Sequence, residues 1–380
     1  MKIFLLLLFW SLWYINFSSR TIISPLLPII EDEFAISHAV AGSIFSFLSL
    51  GYTITLLLSG AISHRIGYKR SIMMGFLILT VSLFSLRFAT TYALLAAAAI
   101  FIGLGSGIYF PSALPLITTV FGRDNWGKVL GFHETAASFS ILSIPLLTAI
   151  GLRFFEWRNL FFILSAACLL VGVFFHVFCP RTHPQREKGV SFLHVFRRRD
   201  FWIIAMLWIF AASNGLGLYN IIPLFLVKEN GMELEAANTI FGLSRIGGFF
   251  VTILSGFLVD RFGAKTILYL VLLATGLSTM SLALAQTTPI LIAMLVAQAS
   301  IYPAFFPVAL VAISKLTDFD ERSIFTGTSI AVGVVFGLGF TPFILGAVAD
   351  LWNFKIGIFS LGLLTILSSI SLKGIKEDLR

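Results

Sequence analysis

The chain has 380 residues, 58% of them hydrophobic and only 12% charged, with 40 Phe and 7 Trp, and its mean hydropathy is +0.97. A soluble protein carries about a quarter charged residues, so this composition excludes an ordinary water-facing surface and makes lipid the expected solvent. The formal net charge is +8, but its placement along the chain calls for no nucleic-acid partner.

In lipid the backbone must pair internally, which leaves helices or closed barrels. Barrel strands alternate over segments of about 10 residues, whereas the apolar runs here continue for roughly 20 to 28 residues. The expected fold class is therefore an all-α membrane protein with twelve transmembrane helices. They are predicted over 3–30, 39–62, 71–89, 92–119, 127–151, 157–179, 201–227, 235–258, 266–286, 288–314, 322–349 and 354–372. The first run, MKIFLLLLFWSLWYI, starts like a signal peptide, but it reaches SPLLPIIEDEF without a small-residue cleavage site. It is expected to stay as a helix.

Basic residues sort by side. With the N-terminus in the cytoplasm, nineteen of the 26 Lys and Arg fall on that side, among them the cluster Arg197, Arg198 and Arg199. The other side holds Arg87, Arg153, Arg158, Lys228 and Lys355. The positive-inside rule then puts both termini in the cytoplasm of a cell whose plasma membrane carries the protein. Cys168 and Cys179 are eleven residues apart on one helix, about 16 Å of rise, and are expected to remain unbonded.

The longest polar loop, PRTHPQREKGVSFLHVFRRRD, separates six helices from six. The expected organisation is an N-terminal six-helix bundle (1–179), a cytoplasmic linker (180–200) and a C-terminal six-helix bundle (201–380). The halves repeat. SGAISHRIGYK (59–69) aligns without gaps on SGFLVDRFGAK (255–265), and at the same offset Ile44, Phe45 and Gly51 meet Ile240, Phe241 and Gly247. A P-x-x-x-P pattern recurs as Pro111/Pro115 and Pro303/Pro307, and Asn16 and Pro25 correspond to Asn214 and Pro223. Such pseudo-symmetric halves are characteristic of secondary transporters.

The two loops resemble the G-x-L-x-D-R-x-G-R-K signature of the major facilitator superfamily, each between the second and third helix of its half. The resemblance spans the whole chain and implies rocker-switch alternating access. It assigns a conformational-latch motif to Gly60, His64, Arg65, Gly67 and Lys69 in the first half and to Gly256, Asp260, Arg261, Gly263 and Lys265 in the second. Gly60 and Gly256 are expected to permit close helix contact, and Gly67 and Gly263 a tight turn. Asp260 matches the family's latching Asp, while His64 replaces it in the first half.

Two charges escape the repeat. Arg20 faces Leu218 in the alignment, and Arg245 faces Ser49. Each lies about 15 Å inside the outer end of its helix, counted from Glu31 and Glu235. At that depth an arginine costs at least ~2.5–3.5 kcal/mol, so both are expected to face the water-filled cavity between the halves. Arginine grips carboxylate or phosphate with two parallel bonds, which points to an anionic substrate; internal pairing is the structural alternative. The stretch YINFSSRTIISPLLPIIEDEF looks like the first helix of organic-anion branches of the superfamily, with Ser19 where the anion:cation symporter branch commonly has Asp. The eighth-helix arginine is similar to that of oxalate and monocarboxylate carriers.

Glu134, expected to be a buried carboxylate about 9 Å into the fifth helix from Lys128, is the candidate for proton coupling, with His133 beside it; a structural ion pair is the alternative. By resemblance, cavity-lining helices supply Asn16, Tyr109, Tyr219, Asn220, Gln298 and Tyr302 as further substrate-binding candidates, each equally able to serve packing. The small-residue run GLGSG (103–107) reads first as a packing surface. The antiporter signature of the fifth helix is poorly met by SFSILSIPLLTAI, which counts against proton-driven drug efflux. No catalytic triad, metal-ligand spacing or phosphate loop stands out, so no enzyme activity, cofactor, metal or ATP drive is expected. The expected function is secondary transport of a small organic anion by a monomer, coupled to protons or to a counter-anion. The rivals are an efflux pump for a hydrophobic or neutral compound, and a membrane sensor or lipid-handling protein without solute flux.

Overall fold

A computed structural model of the protein describes residues 2–122, 125–180 and 192–375. Among these, helix is nearly continuous and strand is absent. Twelve helices are long and apolar enough to cross a membrane: α1 Lys2–Phe34, α2 His38–Ile66, α3 Tyr68–Phe88, α4 Tyr92–Val120, α5 Trp126–Gly151, α6 Trp157–Phe178, α7 Arg199–Glu229, α8 Leu234–Phe262, α9 Ala264–Leu284, α10 Thr288–Leu316, α11 Ile324–Leu351 and α12 Phe354–Gly374. They coincide with the predicted segments to within a few residues, since uninterrupted apolar runs bounded by charged loops leave little choice of ends.

The chain forms two compact units. One is Met1–Ile36, Ile44–Arg186 and Glu233–Thr239; the other is Ser37–Ser43, Glu187–Met232 and Ile240–Arg380. Most of the linker expected over 180–200 lies outside the described residues; its end forms a short helix, Phe192–Phe196. In the first unit, α4 packs closely on α2 through glycine: a Cβ on Gly51 would stand 2.0 Å from the Ile100 carbonyl oxygen, and one on Gly103 2.0 Å from that of Leu48. Small residues let helices approach where lipid gives no hydrophobic drive for association. In the second unit, Phe201, Leu207, Leu268, Phe305, Ile313 and Phe325 belong to one apolar core.

Several helices are broken, and the breaks have causes. Pro25 has no N–H to offer the Thr21 carbonyl, and α1 divides at Ile22 into Lys2–Thr21 and Ile23–Phe34. Pro111, which has no N–H to offer the Gly107 carbonyl, divides α4 at Ile108, and Pro115 lies inside the following segment Tyr109–Val120. Pro303 falls within the 3₁₀ turn Tyr302–Ala304 of α10. Helix α8 has a two-residue turn, Ser244–Arg245, between Leu234–Leu243 and Ile246–Phe262. Helices α7 and α11 carry π-helical turns at Ser213–Gly217, Phe225–Glu229 and Val334–Phe340.

Between α2 and α3, and again between α8 and α9, the chain turns on a glycine with positive φ: Gly67 at 86° and Gly263 at 81°. No side chain with a Cβ adopts these angles cheaply, so the expectation for these two glycines holds. It fails for Gly60 and Gly256. Among the described residues, a Cβ at either position meets nothing within 4 Å. The loop lysines have matched anchors. Lys69 donates to the Cys179 carbonyl at the end of α6, and Lys265 donates to the Ile375 carbonyl just past α12 at 2.8 Å. A lysine near the last, unsatisfied carbonyls of a helix meets their partial negative charge. His64, Arg65, Asp260 and Arg261 are exposed.

Candidate functional site: two buried arginines

In the first unit, α1 presents two stripes of side chains at helical spacing. Trp10, Tyr14, Ser18 and Thr21 form one stripe against α5: Trp10 donates to Thr135 Oγ1 at 3.0 Å, Tyr14 meets Ser143 at 3.0 Å, and Ser18 and Thr21 both reach Ser140, at 3.0 and 3.3 Å. Trp13, Phe17 and Arg20 form the other. The Arg20 guanidinium lies 4.3 Å from the centre of the Phe17 ring, 4.8 Å from Tyr52 on α2 and 5.8 Å from Trp13. Ring faces attract a cation, and the carbonyls at the Pro25 break add partial negative charge. The side chain is nonetheless incompletely satisfied. Arg20 is 7% exposed, and its Nε and Nη2 are buried without a hydrogen-bond partner.

Behind Arg20 the rings continue. Trp13 stacks on Tyr109 with centroids 5.3 Å apart and on His133 at 5.7 Å. The Tyr109 hydroxyl donates to the Phe9 carbonyl at 3.0 Å and meets His133 Nε2 at 3.0 Å. His133 Nδ1 in turn stands 3.2 Å from Glu134 Oε1. Glu134 departs from the sequence-based expectation of a buried carboxylate, since its side chain is 52% exposed while that of His133 is 2% exposed. Adjacent helix residues point in different directions, and α5 turns the imidazole inward and the carboxylate outward. Asn16 is fully buried; its Nδ2 donates to the Ser106 carbonyl at 3.2 Å and its Oδ1 has no partner.

In the second unit, Arg245 occupies the turn that interrupts α8. Its guanidinium lies 4.8 Å from the Phe241 ring centre and 5.1 Å from that of Tyr219 on α7. Tyr302, at the break in α10, turns its hydroxyl toward it as an electrostatic and loosely hydrogen-bonding neighbour. Yet Nε, Nη1 and Nη2 are all buried without a partner in hydrogen-bond geometry, and the residue is 7% exposed. Arg245 also opens the helical segment Ile246–Phe262, whose N-terminal dipole adds further positive potential.

Gln298 donates to the Asn214 carbonyl at 3.0 Å. Asn214 itself donates to Thr365 and accepts from Thr279, both at 2.7 Å. Gln298 and Asn214 thus tie α7, α9, α10 and α12 together. Asn220 is buried with Nδ2 unpartnered. The sequence-predicted residues therefore form one set around Tyr109 and His133 with Arg20 across Trp13, and another around Arg245 with Tyr219 and Tyr302. The sequence reading missed Trp13, Phe17, Tyr52 and Phe241. Phe17 and Phe241 precede their arginines by three and four residues, a spacing that puts them on one helix face; Tyr52 comes from another helix and left no local signal.

This architecture matches known proteins. The family model for the Major Facilitator Superfamily matches residues 10–288 and 214–377. The hexuronate transporter of Bacillus subtilis is 23% identical over 266 residues, 66% of this chain and 63% of that protein; the match thus spans just under two thirds of that relative's length. The probable sulfoacetate transporter of Cupriavidus necator is 23% identical over 278 residues, 67% of this chain and 64% of the relative. Among solved structures, a D-xylose–proton symporter superposes with a TM-score of 0.82 at 17% identity, covering 98% of this chain and 97% of its own. The twelve-helix architecture and the match agree, and the chain belongs to the Major Facilitator Superfamily.

Proposed function

We propose that the protein moves a small organic anion across the membrane by alternating access, and that Arg20 and Arg245 receive its acidic groups. The observation that carries this reading is that both guanidinium groups are buried with five nitrogens in no hydrogen bond of good geometry, the Tyr52 and Tyr302 hydroxyls being their looser polar neighbours. A buried donor left unmade costs about 1–3 kcal/mol, more when charged, and a carboxylate or phosphate satisfies two such donors at once. The aromatic walls attract each guanidinium without neutralising it, which suits a ligand that brings its own negative charge. Two relatives named for hexuronate and sulfoacetate, both organic anions, support the same class.

The remaining assignments extend this reading. The expected bundles 1–179 and 201–380 with the linker 180–200 are the mechanical units, and the protein works as a monomer in the plasma membrane with both termini cytoplasmic. Asp260, His64 and the loop basic residues form the latch, and Tyr109, Tyr219, Asn220 and Tyr302 shape the two arginine sites. Protons or a counter-anion drive the cycle.

Thermal stabilisation of the purified protein by a panel of carboxylates, phosphate esters, cations and neutral compounds tests the proposal, since a ligand of the folded state raises its stability by mass action. Stabilisation by an organic anion that disappears in Arg20→Ala or Arg245→Ala is the expected result. Stabilisation by cations or neutral compounds alone, unchanged in both variants, would overturn it in favour of an efflux carrier.

A further inference from the structure

We infer that the seam between the start of α7 and the end of α12 binds one anionic phospholipid, with Arg199 and Lys373 on its phosphate and the apolar stripes of the two helices along its acyl chains. The inference concerns a lipid partner and stands apart from the transport reading.

Two helix ends meet at this seam, both in the second unit. Helix α7 begins at Arg199 and α12 ends at Gly374. The two helices pack on each other and are tied further along by the Asn214–Thr365 hydrogen bond at 2.7 Å. Gly374 has no side chain, so α7 comes close to its backbone: a Cβ there would stand 3.0 Å from Arg199 Nη2 and 3.1 Å from Ile203 Cδ1. Arg199 and Ile203 are four residues apart and share one helix face. The Arg199 guanidinium therefore lies against α12 beside Lys373, which is exposed.

Each cation crowns an apolar stripe. On α12, Leu363, Leu367 and Ile370 are 42%, 51% and 48% exposed. The last turn of that helix is 3₁₀, Ile370–Gly374, where residues three apart eclipse each other, so Lys373 stands over Ile370. On α7, Trp202 is 55% exposed, one turn along from Arg199. Exposed apolar faces of a membrane helix meet acyl chains, and tryptophan marks the level where chains give way to headgroups. The Trp202 Nε1 donates to the Phe196 carbonyl at 2.9 Å, which fixes the ring at that level. Arg199 and Lys373 thus stand one turn beyond the last exposed apolar side chains, where a phospholipid carries its phosphate.

The positive charge there is unspent. The nearby acids belong to Arg198: it meets Glu321 at 2.8 Å and Asp200 at 3.8 Å, and His194 meets Glu321 at 2.9 Å. Lys265 is occupied by the Ile375 carbonyl at 2.8 Å. Arg199 and Lys373 form no ion pair among the described residues. A guanidinium takes two phosphate oxygens by parallel bonds, and an ammonium adds a point charge. Basic pockets between membrane helices suit acidic headgroups, whereas a choline headgroup brings a cation of its own that these two side chains repel.

Native mass spectrometry and thermal melting of the purified full-length protein in neutral detergent test the site, with dioleoyl phosphatidylglycerol and dioleoyl phosphatidylcholine titrated separately. One phosphatidylglycerol is expected to bind more tightly than the rest and to raise the melting temperature, and phosphatidylcholine at the same concentration to do neither. A basic residue beside an anionic headgroup contributes about fivefold in affinity. Arg199→Gln and Lys373→Gln should each weaken phosphatidylglycerol binding by about that factor, and the double variant by about 25-fold. Arg70→Gln removes an exposed cation of the first unit and should leave this binding unchanged. Lys373 is exposed at a helix end, so its variant carries the test if Arg199→Gln fails to fold. An equal loss in Arg70→Gln, or equal binding of phosphatidylcholine, would overturn the site. Stabilisation by sn-glycerol 3-phosphate that also depends on Arg199 and Lys373 would overturn the lipid in favour of a soluble phosphate.

Discussion

The two units carry the same scaffold and different charges. Gly67 and Gly263 hold the same positive φ, and Lys69 and Lys265 reach carbonyls at equivalent positions, Cys179 and Ile375. The prolines of α4 and α10 interrupt both helices. The arginines do not correspond. Arg20 sits at a proline break in α1 inside three aromatic rings, and Arg245 sits in a turn of α8 beside two. Repetition thus built what both halves need, a helical frame with matched turns and breaks, while the buried arginines proposed to meet a ligand have no counterpart in the other half.

The largest expected effect separates charge from shape. Arg20→Ala should weaken anion binding by about 2–5 kcal/mol, the range for truncating one member of a buried charged pair, as read by thermal shift or calorimetry. Arg20→Lys should recover little of it, because an ammonium cannot supply two parallel bonds. Full recovery by Lys would show that only net charge matters at this site.

Next come the aligned glycines Gly51 and Gly247. At Gly51 a Cβ would strike the Ile100 backbone oxygen at 2.0 Å; at Gly247 the obstacle at 2.0 Å is the Ser300 hydroxyl, a side chain able to rotate. Gly51→Ala should therefore cost about 1–3 kcal/mol of stability, and Gly247→Ala clearly less. Equal melting temperatures for the two variants would refute the distinction.

Smaller again are the lysine anchors. Lys69→Met and Lys265→Met should each cost about 0.5–1.5 kcal/mol, the net value of one hydrogen bond, and should agree with each other because the repeat makes them equivalent. The first also has a chemical readout. Burial pushes the Cys179 thiol up to about 11, with Lys69 opposing the rise. Only the thiolate reacts, so its alkylation in a Cys168→Ser background should be slow at neutral pH, accelerate as pH rises toward that value, and slow further in Lys69→Met.

The smallest effect belongs to the exposed pair Arg153 and Glu235, whose side chains are 60% and 49% exposed. Glu235 holds the Arg153 guanidinium above its ordinary value by hydrogen bonding. Arg153→Gln should nevertheless change the melting temperature little, and the difference should vanish in high salt. A large, salt-independent loss would mark this contact as structural.

Much of this was legible in the chain itself. Lipid punishes an unpaired backbone group so heavily that composition and run length alone dictate twelve helices, and the aligned loops exposed the repeat and both positive-φ glycines. The two arginines were legible too, since a charge deep in an apolar run has few innocent explanations. The roles of Gly60 and Gly256 were misread because a glycine in a helix records small size but not what stands opposite. Glu134 was misread as buried because hydropathy registers depth along a helix and not the face on which a residue lies. Tyr52 over Arg20 and the Trp13–Tyr109–His133 stack arise where separate helices converge. Sequence by itself determined the membrane, the twelve spans and the repeat, because those follow from the chemistry of single segments. Only the tertiary structure decided which polar groups are left wanting a partner, because a hydrogen bond between helices depends on distances that no single segment contains.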